Sequence, residues 1–245
     1  MIGQPDSFNK TSWIEESFYN EDMNTSIHRV NRSKEACRRS YNRLCRWYDL
    51  LAGSTEKKYR DRGLEKLCAQ PGERILEIGF GTGHCLVTLA RAVGQEGRVI
   101  GVDISDGMAA IATKRLRQYG VNDRVDLHRA DASHLGFLEA GSVDGIFMSF
   151  TLELFDTPDI PCVLQECHRA LRTGGRLVVV CMTKTDPPGM PVRVYEWFHD
   201  HIPDYVDCRP IFAQTVLEQS GFSIEKVSKS TMWGLPVEII LARKQ

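Results

Sequence analysis

The chain has 245 residues, a net charge of −1 and an apolar fraction of 42%. This length and composition fit one α/β domain with a sizeable core, and the near-neutral charge argues against nucleic acid as a general partner. The sequence has no apolar run of about eighteen residues and its N-terminus is polar, so we expect neither a transmembrane helix nor a signal peptide.

The N-terminal part of the chain divides by charge. Residues 1–28 carry five acids and one lysine with little periodicity, which predicts a mobile arm. Residues 29–66 carry twelve basic and five acidic residues with apolar positions at helical spacing, which predicts a helical cap before a main domain at 67–245. The basic face of this cap has two interpretations: a solvated face, or a surface that binds an anionic membrane or an acidic substrate.

The glycine-rich stretch at 74–85 is the strongest signal in the sequence. An apolar strand containing Glu77 runs into Gly79, Gly81 and Gly83, a pattern typical of nucleotide binding before a helix. His84 stands where a dinucleotide-binding turn has its third glycine, and no P-loop lysine follows. A carboxylate at Glu77 would repel a pyrophosphate and attract a cation. S-adenosylmethionine (SAM), which carries a sulfonium and an ammonium group, fits this pattern.

Further strands and helices alternate along the chain. The pattern predicts strands at 98–103, 125–132, 143–150 and 174–182, with helices at 105–119 and 156–172. Asp103 ends the second strand, where an acid can accept hydrogen bonds from a ribose. A final helix is predicted at 211–220, followed by strands at 224–232 and 237–242 that pair antiparallel at one edge. Such alternation implies right-handed crossovers and a mostly parallel sheet.

Two sequence motifs resemble a known family. The run I-L-E-I-G-F-G-T-G, with the acids that end the next strands, resembles the SAM-binding motif of the class I methyltransferases over about residues 41–244. The run Y-D-L-L-A-G-S, which starts at Tyr48, resembles the UbiE-like, methyltransferase type 11 branch. The resemblance implies a Rossmann-like α/β fold, with a seven-stranded mostly parallel sheet, an antiparallel C-terminal strand, helices on both faces and an N-terminal helical cap. It also implies SAM as the cofactor.

The resemblance assigns roles to individual residues. Tyr48 would close over the SAM methionine, Met108 would pack on the adenine, and Asp131 with the amide of Ala132 would bind the adenine amino group. The strand end at Ser149 and Phe150 would face the methyl-transfer site. The full set of predicted cofactor-binding residues is Tyr48, Glu77, Gly79, Gly81, Gly83, Asp103, Ile104, Met108, Asp131, Ala132 and Ser149.

The methyl acceptor is expected to contact a long connection at 183–210. Long loops in compact domains are often functional, and this one is rich in aromatic residues and histidines. The predicted substrate residues are Phe150, Leu154, Tyr195, Trp197 and Tyr205. His199 and His201 are the candidates for a catalytic base, since histidine titrates near neutral pH. The alternative is that both histidines belong to an ordinary helix. We expect no metal at these histidines, because the sequence offers no third ligand nearby.

Cysteine usage also bears on function. No pair among the eight cysteines has a zinc spacing, so we expect reduced thiols and a cytoplasmic protein without a metal site. Cys162, Cys167 and Cys181 fall in apolar patterns and are predicted to lie in the core. The remaining hypothesis is that a soft substrate such as arsenite binds to the thiols of Cys37, Cys45 and Cys208.

The sequence therefore predicts a SAM-dependent methyltransferase that acts on a small molecule, with a quinone-like or aromatic compound as the acceptor. A thiol or arsenite methyltransferase is the alternative within the same class. An NAD-linked oxidoreductase and a non-catalytic SAM-binding protein are the alternatives from other classes. The sequence predicts no oligomeric state.

Overall fold

A computed structural model describes residues 53–184, 189–190, 192–193 and 209–245. The arm at 1–28 and most of the cap at 29–66 lie outside the described residues, so both domain boundaries stay predictions. In the described part of the chain, no helix has the length and apolar character needed to cross a bilayer.

The described residues form one seven-stranded sheet in the order β3-β2-β1-β4-β5-β7-β6. Pairing is parallel from β3 to β5, and β7 alone runs opposite to both of its neighbours. The predicted Rossmann-like, mostly parallel sheet with an antiparallel C-terminal strand is therefore confirmed. The strands are β1 (Arg74–Ile78), β2 (Arg98–Asp103), β3 (Val125–Arg129), β4 (Val143–Ser149), β5 (Leu171–Met182), β6 (Phe222–Met232) and β7 (Leu235–Lys244).

Helices cover both faces of the sheet. They are α1 (Gly53–Leu67), α2 (His84–Val93), α3 (Asp106–Gln118), α4 (Asp159–Ala170) and α5 (Ala213–Gln219). Alternate residues of the central strands enter two separate apolar clusters: Val178 and Val180 of β5 join one, and Leu177 and Val179 join the other. Burial on both faces explains why β5 is continuously apolar from Leu177 to Met182.

Helix α1 is fixed closely against the sheet. An added Cβ at Gly63 would lie 2.6 Å from the Val180 side chain and 3.0 Å from Phe147, so glycine allows this close approach. The buried Tyr59 hydroxyl donates to the carbonyl of Thr231 on β6. The part of the predicted cap that is described, residues 53–66, therefore shares a core with the seven-stranded sheet.

The boundary between α4 and β5 differs from the prediction. A helix was expected to run from 156 to 172, but α4 begins at Asp159 and ends at Ala170. The Asp156 carboxylate accepts from the Thr157 amide at 2.9 Å, which makes a turn before the helix. At the other end, Leu171 is extended and pairs with Val143, so β5 begins before the two glycines that were expected to separate helix from strand.

The structure also corrects the predicted burial of one cysteine in α4. Cys167 and Cys181 are buried as predicted, but Cys162 is exposed. A residue at 162 falls outside the buried face of α4. The buried positions of this helix are Ile160, Val163, Leu164, Cys167 and Ala170.

Candidate functional site

The three glycines after β1 have positive φ angles of 73° at Gly79, 51° at Gly81 and 83° at Gly83. Two of them are crowded: an added Cβ would lie 2.3 Å from the Thr151 side chain at Gly79 and 2.9 Å from Ala112 at Gly83. At Gly81 an added Cβ would meet no protein atom within 4 Å. Gly79 and Gly83 thus allow close packing, whereas Gly81 borders open space in which a ligand could approach the backbone.

Glu77 is the buried carboxyl at the start of this turn. Its side chain is 3% exposed, and its Oε2 atom has no hydrogen-bond partner among the described residues. Burial raises the pKa of Glu77 well above its usual range, and the Asp103 carboxylate adds to this shift. The Arg60 guanidinium and a hydrogen bond with the Cys85 thiol oppose the shift. An unsatisfied buried carboxyl of this kind suits a cationic ligand group.

Asp103 closes the glycine turn from the end of β2. Its Oδ2 accepts from the Gly81 amide at 2.9 Å, and its Oδ1 accepts from the Ser105 amide at 2.9 Å. Burial raises the pKa of Asp103, and hydrogen bonds from the amides of Ser105, Gly81 and Ile104 oppose that rise. Each carboxylate oxygen can accept a second hydrogen bond, so the predicted ribose contact is compatible with this geometry.

The residues after Asp103 begin helix α3. Ser105 is its N-cap, and the Ser105 hydroxyl accepts from the Met108 amide at 3.1 Å. The Met108 side chain is 2% exposed and belongs to the apolar cluster under α3. Ile104 lies between Asp103 and this cap and is partly exposed. Their contacts with SAM stay predictions.

Asp131 lies beyond β3, which ends at Arg129 and not at 132 as predicted. Its Oδ1 accepts from the Ser133 amide at 3.0 Å and from the Ser133 hydroxyl at 2.8 Å. The Ala130 amide donates to the Asp103 carbonyl at 3.2 Å, which brings this loop beside the end of β2. Ala132 is 2% exposed. The structure thus places the two predicted acids on neighbouring strand ends.

The end of β4 places a third group of predicted residues at the same edge. The strand ends at Ser149, whose buried Oγ has no hydrogen-bond partner among the described residues. Phe150 has a φ of 49°, a strained value for a residue with a side chain, and its ring packs edge-on against Tyr59 with centroids 6.2 Å apart. Leu154 is partly exposed in the 3-10 turn Leu152–Leu154.

Glu153, in the same turn, was missed by sequence reasoning. It is fully buried, and burial raises the pKa of Glu153 to about 8. The one available signal was an isolated acid inside the run L-E-L-F directly after an apolar strand. Local pattern gave no indication that this residue would turn inward.

Several predicted site residues lie outside the described residues. They are Tyr48, Tyr195, Trp197, His199, His201 and Tyr205, together with Cys37, Cys45 and Cys208. Their assignments stay predictions, as does membrane contact through the cap at 29–66. Over residues 53–184 and the other described segments, no cluster of three or more His, Cys, Asp or Glu side chains could hold a metal ion.

Comparison with known proteins identifies the domain to which this edge of the sheet belongs. Residues 75–175 match the methyltransferase domain family. This stretch spans the glycine turn, Asp103, Asp131 and the 152–154 turn. The protein therefore carries a methyltransferase domain.

Relatives over a longer stretch agree with this placement. The chain is 29% identical over 161 residues to a demethylmenaquinone methyltransferase of Lactobacillus johnsonii, covering 64% of each chain. It is 33% identical over 155 residues to the ubiquinone/menaquinone biosynthesis C-methyltransferase UbiE of Vibrio cholerae, covering 63% of this chain and 58% of the relative. The chain thus spans less than two thirds of the length of these two relatives.

Solved structures support the fold. A SAM-dependent methyltransferase from Aquifex aeolicus aligns with a TM-score of 0.56 and 21% identity, covering 75% of this chain and 89% of that one. The [4+2]-cyclase SpnF aligns with a TM-score of 0.67 and 17% identity, covering 87% of this chain and 97% of that one. Because a cyclase shares the fold, the fold alone does not establish methyl transfer.

The predicted contact between the buried Glu77 carboxyl and SAM would make SAM binding dependent on pH. In the empty protein its raised pKa keeps a proton on Glu77 at pH values where an exposed glutamate has lost it. A cationic group of SAM beside the carboxyl would favour the charged form and lower that pKa, so binding would release a proton. We therefore expect SAM affinity to increase with pH, by up to about tenfold per pH unit, until the pH passes the pKa of the empty protein.

Calorimetry in two buffers that differ in ionisation enthalpy would measure this proton release directly. The Glu77→Gln variant, which cannot ionise, is the control and should bind SAM weakly with no contribution from this group to the pH dependence. Proton uptake on binding, or an affinity that falls as pH rises, would contradict the assignment of Glu77 to the cationic end of SAM.

Proposed function

We propose that this protein transfers the methyl group of SAM to a small-molecule acceptor, and that the acceptor is a hydroquinone or a similar electron-rich aromatic compound. The observation that carries the SAM part is the unsatisfied Glu77 oxygen beside an open glycine turn, within a methyltransferase domain. The acceptor class rests on the relatives named for demethylmenaquinone and ubiquinone/menaquinone C-methylation.

The chain's own residues would orient SAM at the C-terminal edge of the sheet. Glu77 would attract the cationic methionine end, Asp103 would accept from the ribose hydroxyls, and Asp131 would accept from the adenine amino group. These three acids end or follow β1, β2 and β3, so one ligand extended across the strand ends could contact all of them.

SAM itself supplies a methyl group on a positively charged sulfur. Transfer is an in-line displacement: the acceptor atom forms a bond to the methyl carbon while the carbon–sulfur bond breaks, and its electron pair stays on sulfur. Since the leaving thioether is neutral, the protein's main task is to align the two reactants and to exclude water. A proton acceptor is needed only where the acceptor must lose a proton.

Two measurements test this function. We expect calorimetry to show binding of SAM and of its demethylated product S-adenosylhomocysteine, with dissociation constants on the order of micromolar. Formation of S-adenosylhomocysteine would then be followed with reduced 1,4-dihydroxynaphthalene, a simple thiol and arsenite as acceptors. We expect turnover with the dihydroxynaphthalene.

The outcomes separate the competing functions. If the protein bound neither SAM nor its product, the methyltransferase proposal would be refuted. An increase in the fluorescence of a reduced nicotinamide cofactor on mixing would favour an oxidoreductase. Binding without turnover on any of the acceptors would favour a non-catalytic SAM-binding protein. Turnover with the thiol or arsenite alone would retain the reaction class and change the acceptor.

A further inference from the structure

Glu153 occupies the C-terminal edge of the sheet, between β4 and β5. It lies in the 3-10 turn that follows β4, and its side chain is fully buried. Its Oε1 accepts from the Met182 amide, the last residue of β5, at 3.1 Å. Its Oε2 is also buried and has no hydrogen-bond partner in the part of the chain that the structure describes. The carboxyl thus has one hydrogen-bonded and one unpartnered oxygen, both buried, at the edge where ligands bind in such sheets.

The long connection predicted to contact the acceptor begins and ends beside Glu153. It leaves β5 after Met182, the residue whose amide Glu153 binds. It returns at Arg209, whose Nη2 donates to the Phe155 carbonyl at 2.6 Å, two residues after Glu153. The Lys184 amide donates to the Ile211 carbonyl at 3.0 Å, which joins the two ends of the connection to each other. Glu153 therefore lies close to both ends of this connection.

The charged and titratable groups around Glu153 come from several elements. Burial raises the pKa of the Glu153 carboxyl, and hydrogen bonds with the backbone of Glu153 and Met182 oppose this rise. The charge of Glu56 on α1 raises the same pKa further, and the Arg209 guanidinium lowers it. On β5, burial raises the pKa of the Cys181 thiol, and the charges of Glu153 and Glu238 add to this rise. With a pKa of about 8, the carboxyl holds its proton at neutral pH and releases it in mildly alkaline solution.

We propose that Glu153 accepts the proton of the acceptor's hydroxyl group during methyl transfer, through its unoccupied Oε2 atom. This inference rests on the proposed function and adds a proton acceptor to it. Oε1 is held by a backbone amide, so Oε2 is the oxygen that gains and loses the proton. It lies between the ends of β4 and β5, whereas the acids that we assign to SAM lie at β1, β2 and β3, so the acceptor would bind beside Glu153.

The protons and electrons balance for methylation at a ring carbon. Glu153 takes the hydroxyl proton, and the neighbouring ring carbon of the resulting phenolate attacks the methyl group as the carbon–sulfur bond breaks. The methylated ring carbon then loses its hydrogen as a proton to solvent, and that bonding pair restores the aromatic ring and the phenolate. Glu153 returns its proton to the phenolate oxygen, so one proton is released in total.

Replacing Glu153 by glutamine separates a chemical role from a structural one. The glutamine carbonyl can still accept from the Met182 amide, so the turn should keep its shape. The variant cannot take up a proton at this position. Because the folded protein holds a proton that the unfolded chain releases, the wild type should lose stability relative to this variant as pH rises from about 5 to about 8.

The test measures S-adenosylhomocysteine formation with reduced 1,4-dihydroxynaphthalene between about pH 6 and about pH 9.5. For the wild type we expect the rate to increase up to about tenfold per pH unit and to level off near pH 8. For Glu153→Gln we expect a rate at least about 100-fold lower at the plateau, without this break. Glu238→Gln is the matched control, since Glu238 is a buried glutamate held by the Gln214 side chain at 2.9 Å.

Calorimetry with SAM on the three proteins separates the possible failures. We expect all three to bind SAM with similar affinity and Glu238→Gln to keep the wild-type pH profile. Unchanged rate and pH break in Glu153→Gln would overturn the role of Glu153 and leave the methyltransferase function intact. SAM binding by the wild type without methylation of the dihydroxynaphthalene would overturn the hydroxyl acceptor that the inference requires. If the wild type did not bind SAM, the proposed function itself would be refuted.

Discussion

Replacing Asp103 by alanine is expected to weaken SAM binding by at least about 100-fold, the largest binding effect of any single substitution in this site. The carboxylate accepts from the amides of Gly81 and Ser105, so it shapes both the glycine turn and the start of α3. Its loss would leave these amides without their acceptor, and each unsatisfied buried donor costs about 1–3 kcal/mol. The predicted ribose contact would be lost as well.

Asp106→Ala provides the matched control for this variant. Asp106 is three residues away and equally acidic, but its carboxylate is exposed and pairs with Arg129 at 3.1 Å. We expect this variant to bind SAM within about twofold of the wild type, because exposed ion pairs contribute little. Calorimetry would give both affinities, and circular dichroism would show whether each variant is folded. A folded Asp103→Ala protein with wild-type affinity would refute the role of Asp103.

The second large effect is expected when either of two glycines in one turn is replaced by alanine. One replacement should lower stability, and the other should weaken SAM binding. Gly79→Ala should destabilise the fold by roughly 3 kcal/mol, since it combines a positive φ of 73° with a Cβ only 2.3 Å from the Thr151 side chain. Gly81→Ala should cost only about 1 kcal/mol, because its Cβ would meet no protein atom within 4 Å. The open space beside Gly81 is where we expect SAM to approach, so this variant should lose at least about tenfold in SAM affinity.

Urea unfolding and SAM calorimetry on the two variants would measure both effects. The expected pattern is a stability defect at Gly79 and a binding defect at Gly81. If Gly81→Ala bound SAM as the wild type does, the ligand would not approach the turn at that position. If Gly79→Ala had wild-type stability, Thr151 would be able to move away from the new methyl group.

The sequence predicted the strand ends and the glycine turn that carry the candidate site. Glu77, Gly81 and Asp103 each belong to a strand end or a tight turn, and such features are encoded within a few residues. The alternation of strands and helices likewise predicted a mostly parallel sheet, because a helix between two strands connects them as a parallel crossover. Ser105 could be predicted as a cap for the same reason.

What sequence reasoning missed depends on contacts between distant parts of the chain. Tyr59 and Thr231 are 172 positions apart, and their hydrogen bond helps to place α1 against the sheet. Glu153 resembled an ordinary surface acid until the end of β5 was placed beside it. The early end of α4 follows from the pairing of Leu171 with Val143, a tertiary contact that outweighs helical periodicity.

The paired ends of the connection after β5 have a consequence for how this domain could be changed. Thr183 and Ile211 form a backbone bridge, so the intervening segment enters and leaves the sheet at one point. Doubling the length of a flexible loop between fixed ends costs only about 0.6 kcal/mol in closure entropy. Segments of different length could therefore be grafted between these two anchors while the glycine turn and its acids keep their geometry. Exchanging this segment would then change which acceptor is methylated and leave the residues proposed to bind SAM unchanged.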